Sequence, residues 1–154
     1  MYNYDVDRVR ANTQPHINEA IDQKIEEQIR YYASQSKGAI TLRIVDLDRE
    51  WDIERWLGTN ASGLALTGLA LGFLGNKKWF LLTAGVMGFF MQHSIQGWCP
   101  PVPIMRQMGI RTRSEIDREK YALKALRGDF DNVANKRSDT EVARAHDVLM
   151  AVTM

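Results

Sequence analysis

One cysteine, Cys99, stands among the 154 residues. A lone thiol excludes an internal disulfide and a paired-cysteine zinc site within the chain. No dense basic cluster is present, and a net charge of +1 gives no case for nucleic-acid binding. Internal repeats and low-complexity tracts are absent. The N-terminus, Met1-Tyr2-Asn3-Tyr4-Asp5, lacks a basic region followed by an apolar one, so no cleaved signal peptide is expected. The most informative absence is charge in the middle of the chain. Trp56–Asn76 runs 21 residues without a charged side chain, and Trp79–Met105 runs 27 with only His93 and Cys99 titratable. Lys77 and Lys78 alone separate the two runs.

A helix rises about 1.5 Å per residue, so each run can cross a hydrocarbon core of about 30 Å. A buried hairpin in a water-soluble helical bundle is the alternative. Gly58, Gly63, Gly68 and Gly72 oppose it, because each would cost a water-exposed helix about 1 kcal/mol relative to Ala. Glycine is commoner in membrane helices, where it permits close approach. Trp51 and Trp56 at one end, Trp79 and Phe80 at the turn, and Trp98 at the far end match aromatic belts. Arg43, Arg49 and Arg55 on one flank, with Arg106, Arg111, Arg113, Arg118 and Lys120 on the other, outnumber the two turn lysines. That bias places both termini in the cytoplasm.

The fold expected is therefore all-α: a two-helix transmembrane hairpin flanked by cytoplasmic amphipathic helices. The hairpin domain covers 53–112, with spans near 57–75 and 79–99, between cytoplasmic segments 1–52 and 113–154. Residues 1–14 read as an extended or frayed arm. Thr13-Gln14-Pro15 starts a helix carrying Ile17, Ile21, Ile25, Ile29 and Tyr32 at helical spacing, ending between Ser34 and Gly38. Ile40, Ile44, Leu47 and Trp51 form a second seam, packed as an αα-hairpin or used to dock another protein. That helix is expected to run unbroken through Arg55 into the first span. Pro100-Pro101-Val102-Pro103 ends the second span. Ser114-Glu115-Ile116-Asp117 caps a further helix with Ile116, Leu123 and Leu126 on one face, stopped by Gly128. After a polar linker at 129–138, a short helix carries Val142, Ala145, Leu149 and Val152.

Within the spans, Ala61, Ala65, Gly68 and Gly72 share one stripe, and Asn60, Gly63 and Thr67 a second small face. On the other span, Gly85, Gly88, Gln92, Gln96 and Cys99 fall on one stripe, small at the outer half and polar toward the cytoplasm. Lipid-facing glutamines are expensive, so this stripe is expected to face protein or a small wet recess. His93 lies at the depth of Asn60 and is placed for a hydrogen bond to it. Cys99 is a candidate nucleophile or soft-metal ligand, with Met87, Met91, Met105 and Met108 as thioethers nearby in sequence. No base and orienting acid accompany it, so no catalytic constellation, resident cofactor or metal is expected.

Gly97-Trp98-Cys99-Pro100 followed by Gly109-Ile110-Arg111-Thr112 resembles the YgaP-like inner-membrane domain family over about residues 53–112. The resemblance implies a small bacterial inner-membrane protein with a two-helix hairpin. Some members carry a rhodanese domain and are thought to transfer sulfur as homodimers. That α/β domain is missing here, so sulfurtransferase activity does not follow. Two functions stay open. One is a non-enzymatic scaffold or accessory subunit, bound to the bilayer and to further copies or a larger membrane complex. The other is a carrier of persulfide sulfur or a soft metal through Cys99.

Overall fold

Seven α-helices and one 3-10 turn lie between residues 8 and 127 of a computed structural model that describes residues 7–131, 145 and 148–152, and residues 145 and 148–152 are helical as well. No strand occurs among the described residues, so the chain is all-α. In order the helices are α1 (Arg8–Ala11), α2 (Pro15–Ala33), α3 (Lys37–Arg49), α4 (Ile53–Leu74), α5 (Phe80–Gln96), α6 (Val102–Gln107) and α7 (Arg113–Arg127), with the 3-10 turn at Lys77–Trp79. They form two compact units, Met1–Gln23 with Trp51–Ile116, and Lys24–Glu50 with Asp117–Met154.

The first unit holds α1, the α4–α5 pair and α6. Residues 8–11 are helical rather than extended, because the Asp7 carboxylate caps them by accepting from Arg10 N–H at 3.0 Å. The expected continuous helix into α4 is broken at Glu50–Asp52. Glu50 is extended, and Asp52 starts α4 afresh by accepting from Arg55 N–H at 2.8 Å. Counted through that break, Lys37–Leu74 is the one stretch among the described residues long and apolar enough to cross a membrane by length and composition. α5 itself has 17 residues. It stops at Gly97, whose φ of 73° forms a left-handed helix end, three residues before the first proline. Pro101 and Pro103 then open α6 instead of merely ending α5. Val9, Ile53, Leu57, Cys99 and Val102 form the core, with Phe90, Met105 and Ile110 packed against it.

In the second unit Ile40, Ile44 and Leu47 are buried, as their spacing predicts, but Trp51 lies beyond α3 and is exposed. α3 runs antiparallel to α7. Thr41 accepts from Arg127 at 2.9 Å, Arg43 donates to Glu119 at 2.9 Å, and Asp48 pairs with Lys120. The expected α2–α3 hairpin left α7 out of this arrangement. Leu123 is buried but Leu126 is exposed, so the apolar face of α7 is narrower than its spacing suggests. α7 ends before Gly128, as expected. Ala145, Leu149 and Val152 are helical and exposed, whereas Val142 and most of the linker lie outside the described residues.

Candidate functional site

The expected stripe on α4 divides by role. Ala65, Gly68 and Gly72 are buried against α5. Thr83 Oγ1 donates across the seam to the Ala65 carbonyl at 3.1 Å. A Cβ on Gly68 would collide with Thr83 and stand 3.1 Å from the Trp79 carbonyl, and one on Gly72 would meet the Phe80 ring at 2.6 Å. These two glycines are thus consumed by the intrachain contact. Gly63, Gly85 and Gly88 differ, since a Cβ there meets nothing within 4 Å among the described residues. The Gly85–Gly88 face is uncovered.

Polar groups gather at the far end of α5. Gln92 donates to Gln96 along the helix at 3.3 Å. The helix end is closed by α1: Arg8 donates to the Ser94 and Ile95 carbonyls at 2.8 and 3.0 Å, and Asn12 to the Gln96 carbonyl at 2.9 Å. Those are carbonyls that a helix C-terminus leaves without intrahelical partners, and the arginine also suits the negative end of the helix dipole. Gly97 is required twice here, by its positive φ and because a Cβ would stand 2.6 Å from the Arg8 backbone.

His93 does not reach Asn60. Its Nε2 lies 2.9 Å from the Glu54 carboxylate, while Asn60 donates to the Trp56 carbonyl of its own helix at 2.8 Å. The reason is register. Ala65 sits beside Thr83 and Glu54 beside His93, so residues on α5 meet α4 positions nearer its start than counting outward from the turn suggests. His93 is 1% exposed, and its Nδ1 is buried without a hydrogen-bond partner among the described residues.

Cys99 leaves the stripe on which helical counting placed it. Gly97 turns the chain, and the thiol goes into the apolar core at 3% exposure. Thiolate is the nucleophilic and metal-ligating form, and apolar burial disfavours it. No cluster of three or more His, Cys, Asp or Glu suited to a metal occurs among the described residues.

Below the core lies a polar network that composition did not flag. Arg106 is 1% exposed, and all five of its N–H donors are used. They reach Glu115 twice at 2.7 Å, the Ile110 carbonyl at 3.0 Å, Asn18 at 2.9 Å and Thr13 at 3.2 Å. Glu115 also accepts from Arg10 at 2.5 Å and from Thr112 N–H at 2.8 Å. Arg10 continues to Asp22 at 2.9 Å. The helix cap is therefore Thr112 with Glu115, a capping box, rather than Ser114 with Asp117. Ser114 lies within α7 and donates to Asp7. A saturated buried network of this kind fixes geometry and leaves no group open for chemistry. The Thr-x-x-Glu spacing was the signal available in the sequence.

Comparison with known proteins adds no relative: no family model, curated protein or solved structure matches the chain.

Proposed function

We propose that the chain is a YgaP-like bacterial inner-membrane protein. α4 and α5 span the bilayer as a hairpin, and both termini lie in the cytoplasm. Its function is that of a non-enzymatic scaffold or accessory subunit, assembled with further copies or into a larger membrane complex. One observation carries the membrane reading: the α4–α5 pair exposes its large apolar side chains. Phe73, Leu74 and Leu81 are 79%, 89% and 75% exposed, and Leu64, Leu66, Phe89, Met91 and Ile95 are also exposed. Soluble monomers rarely expose contiguous apolar surface beyond a few hundred Å². At 22 and 17 residues the helices are about 33 and 26 Å long, near the hydrocarbon thickness.

Assembly is supported by the uncovered Gly85–Gly88 face beside Gln92, a surface suited to close approach by another helix. Crosslinking in native membranes tests it. Gly88→Leu is expected to reduce the captured dimer or partner while leaving membrane insertion intact. A protein that stays monomeric and partnerless in membranes would sink the scaffold reading. A persulfide or soft-metal carrier through Cys99 is the lesser reading, and full complementation of a deletion by Cys99→Ser would end it.

A further inference from the structure

A cavity of about 420 Å³ opens along the flank of α4 and α5 in the first unit. Trp56, Ala61, Leu64, Val86, Phe89 and Met108 are among its walls, and Cys99 lines it as well. Asn60 is the sole amide side chain in the lining, and one of its N–H groups already donates to the Trp56 carbonyl. Volumes of 300–1,000 Å³ are those of small-molecule sites. An occupant of this one finds almost no hydrogen-bonding group along its length.

Three features narrow its chemistry. The α4 wall runs from Trp56 to Leu64, about 12 Å along the helix axis, so the cavity is elongated parallel to the helices. Leu64 and Phe89 are 49% and 50% exposed, so they are both cavity wall and outer surface. The cavity is therefore continuous with the apolar band. At the Trp56 end stands a positive charge: the Arg55 guanidinium lies 4.4 Å over the Trp51 ring, whose centroid is 5.2 Å from that of Trp56. An apolar rod with an anionic head at one end fits this distribution.

We propose that the cavity binds one acyl chain of a phospholipid, with its phosphate held beside Arg55. The site rests on the membrane reading above. It makes a bound lipid part of the fold, because the chain packs on Leu57, Phe90 and Met105, which belong to or flank the core around Cys99.

The test uses the full chain in vesicles of phosphatidylethanolamine and phosphatidylglycerol containing a phospholipid with a photoactivatable group in mid-chain. Adducts are expected to concentrate on Leu64, Phe89 and Met105, about tenfold above those on Leu66 and Leu81, as a site favoured by about 1.4 kcal/mol requires. Ala61→Phe and Val86→Phe fill the cavity from opposite helices. Each is expected to remove the excess while the Leu66 and Leu81 adducts persist, which also shows that the variant is inserted. Even labelling over all exposed apolar residues overturns the site but keeps the membrane reading. Cavity peptides crosslinked to a second copy overturn it in favour of that copy. Failure of the wild-type chain to float with the vesicles overturns both.

Discussion

Gly68→Ala tests the α4–α5 contact most directly. The added Cβ collides with Thr83 Oγ1 and stands 3.1 and 3.2 Å from the Trp79 carbonyl and the Thr83 nitrogen. Thr83 can rotate away, but it then gives up its hydrogen bond to the Ala65 carbonyl, worth about 1 kcal/mol. The two backbone atoms cannot rotate, so the helices must part by a few tenths of an ångström. Overpacking of this kind costs about 1–3 kcal/mol. Against it stands the higher helix propensity of Ala, at most about 1 kcal/mol. The net expectation is a loss of about 1–2 kcal/mol. Gly63→Ala, with nothing within 4 Å, keeps only the propensity gain and is expected to be neutral or slightly stabilising.

Both variants are measured by unfolding in mixed mild and denaturing detergent, followed by far-UV circular dichroism. In a Thr83→Ala background the Gly68→Ala penalty should shrink by about half, since one of the colliding groups is gone and the two sites are coupled. Equal effects at positions 63 and 68 would refute the reasoning. So would a Gly68→Ala penalty indifferent to Thr83.

Three further expectations concern the flanking structure. Glu115→Gln leaves Arg106 without its buried countercharge and is expected to cost about 3–5 kcal/mol in chemical unfolding. Burial alone would raise the Glu115 carboxyl, but hydrogen bonds from Arg106 and Thr112 N–H hold it below the usual carboxylate range. Its contribution is therefore full above about pH 4.3 and is lost as pH falls through the lower folded value, so Glu115→Gln should flatten the acid limb of a stability–pH profile, leaving the parts due to Asp7 and Asp129, whose carboxyls are also held low. Cys99→Ser puts a hydroxyl into an apolar core and is expected to cost about 1–3 kcal/mol by thermal unfolding, with Cys99→Ala costing less; the reverse order would mean that the site is polar. Asp52→Ala removes the cap of α4 and should cost about 1 kcal/mol, and no loss would indicate that α3 and α4 are one continuous helix.

The helical class, the Ala65–Gly68–Gly72 contact and the buried Ile40–Ile44–Leu47 seam were legible because periodicity reports which face of a helix meets protein. Register was not. The uncharged runs place the turn around Lys77, the middle of the observed connection between Leu74 and Phe80, but counting residues outward from it misjudges which residues of α4 and α5 meet. That error displaced His93 from Glu54 to Asn60. Capping was partly legible: Thr-x-x-Glu at 112–115 carried it but competed with Ser114–Asp117, whereas the Asp52 cap was hidden by a pattern that reads as one helix continuing through Arg55. The Arg106–Glu115 network was illegible because its members, Thr13, Asn18, Arg106 and Glu115, are scattered over the chain. Charge counting recorded Arg106 only as a topology signal.

Cys99 shows how one backbone angle redirects a functional reading. Helical counting extends the α5 stripe through Gly85, Gly88, Gln92 and Gln96 to Cys99 and places a thiol at the end of a polar face. That extrapolation holds only while the helix does. Gly97 takes φ 73°, and the tight passage over Arg8 admits no Cβ, so the helix ends where α1 docks. The residues after it turn inward, Cys99 joins Ile53 and Leu57, and Pro101 and Pro103 start α6. The Gly-Trp-Cys-Pro sequence therefore reads most economically as a structural device. Gly97 ends the helix, Cys99 fills the core as a small apolar side chain, and the prolines set the next helix across it. The glutamines and glycines left on α5 then lie on an open face without the thiol, which separates any assembly surface from any thiol chemistry. A Gly97→Ala substitution, which alters backbone geometry without touching Cys99, should disturb α1 docking and the Cys99 core together. A thiol reagent that reaches Cys99 faster in Gly97→Ala than in the wild type would bear this out, and equal rates would show that the helix end does not control the thiol.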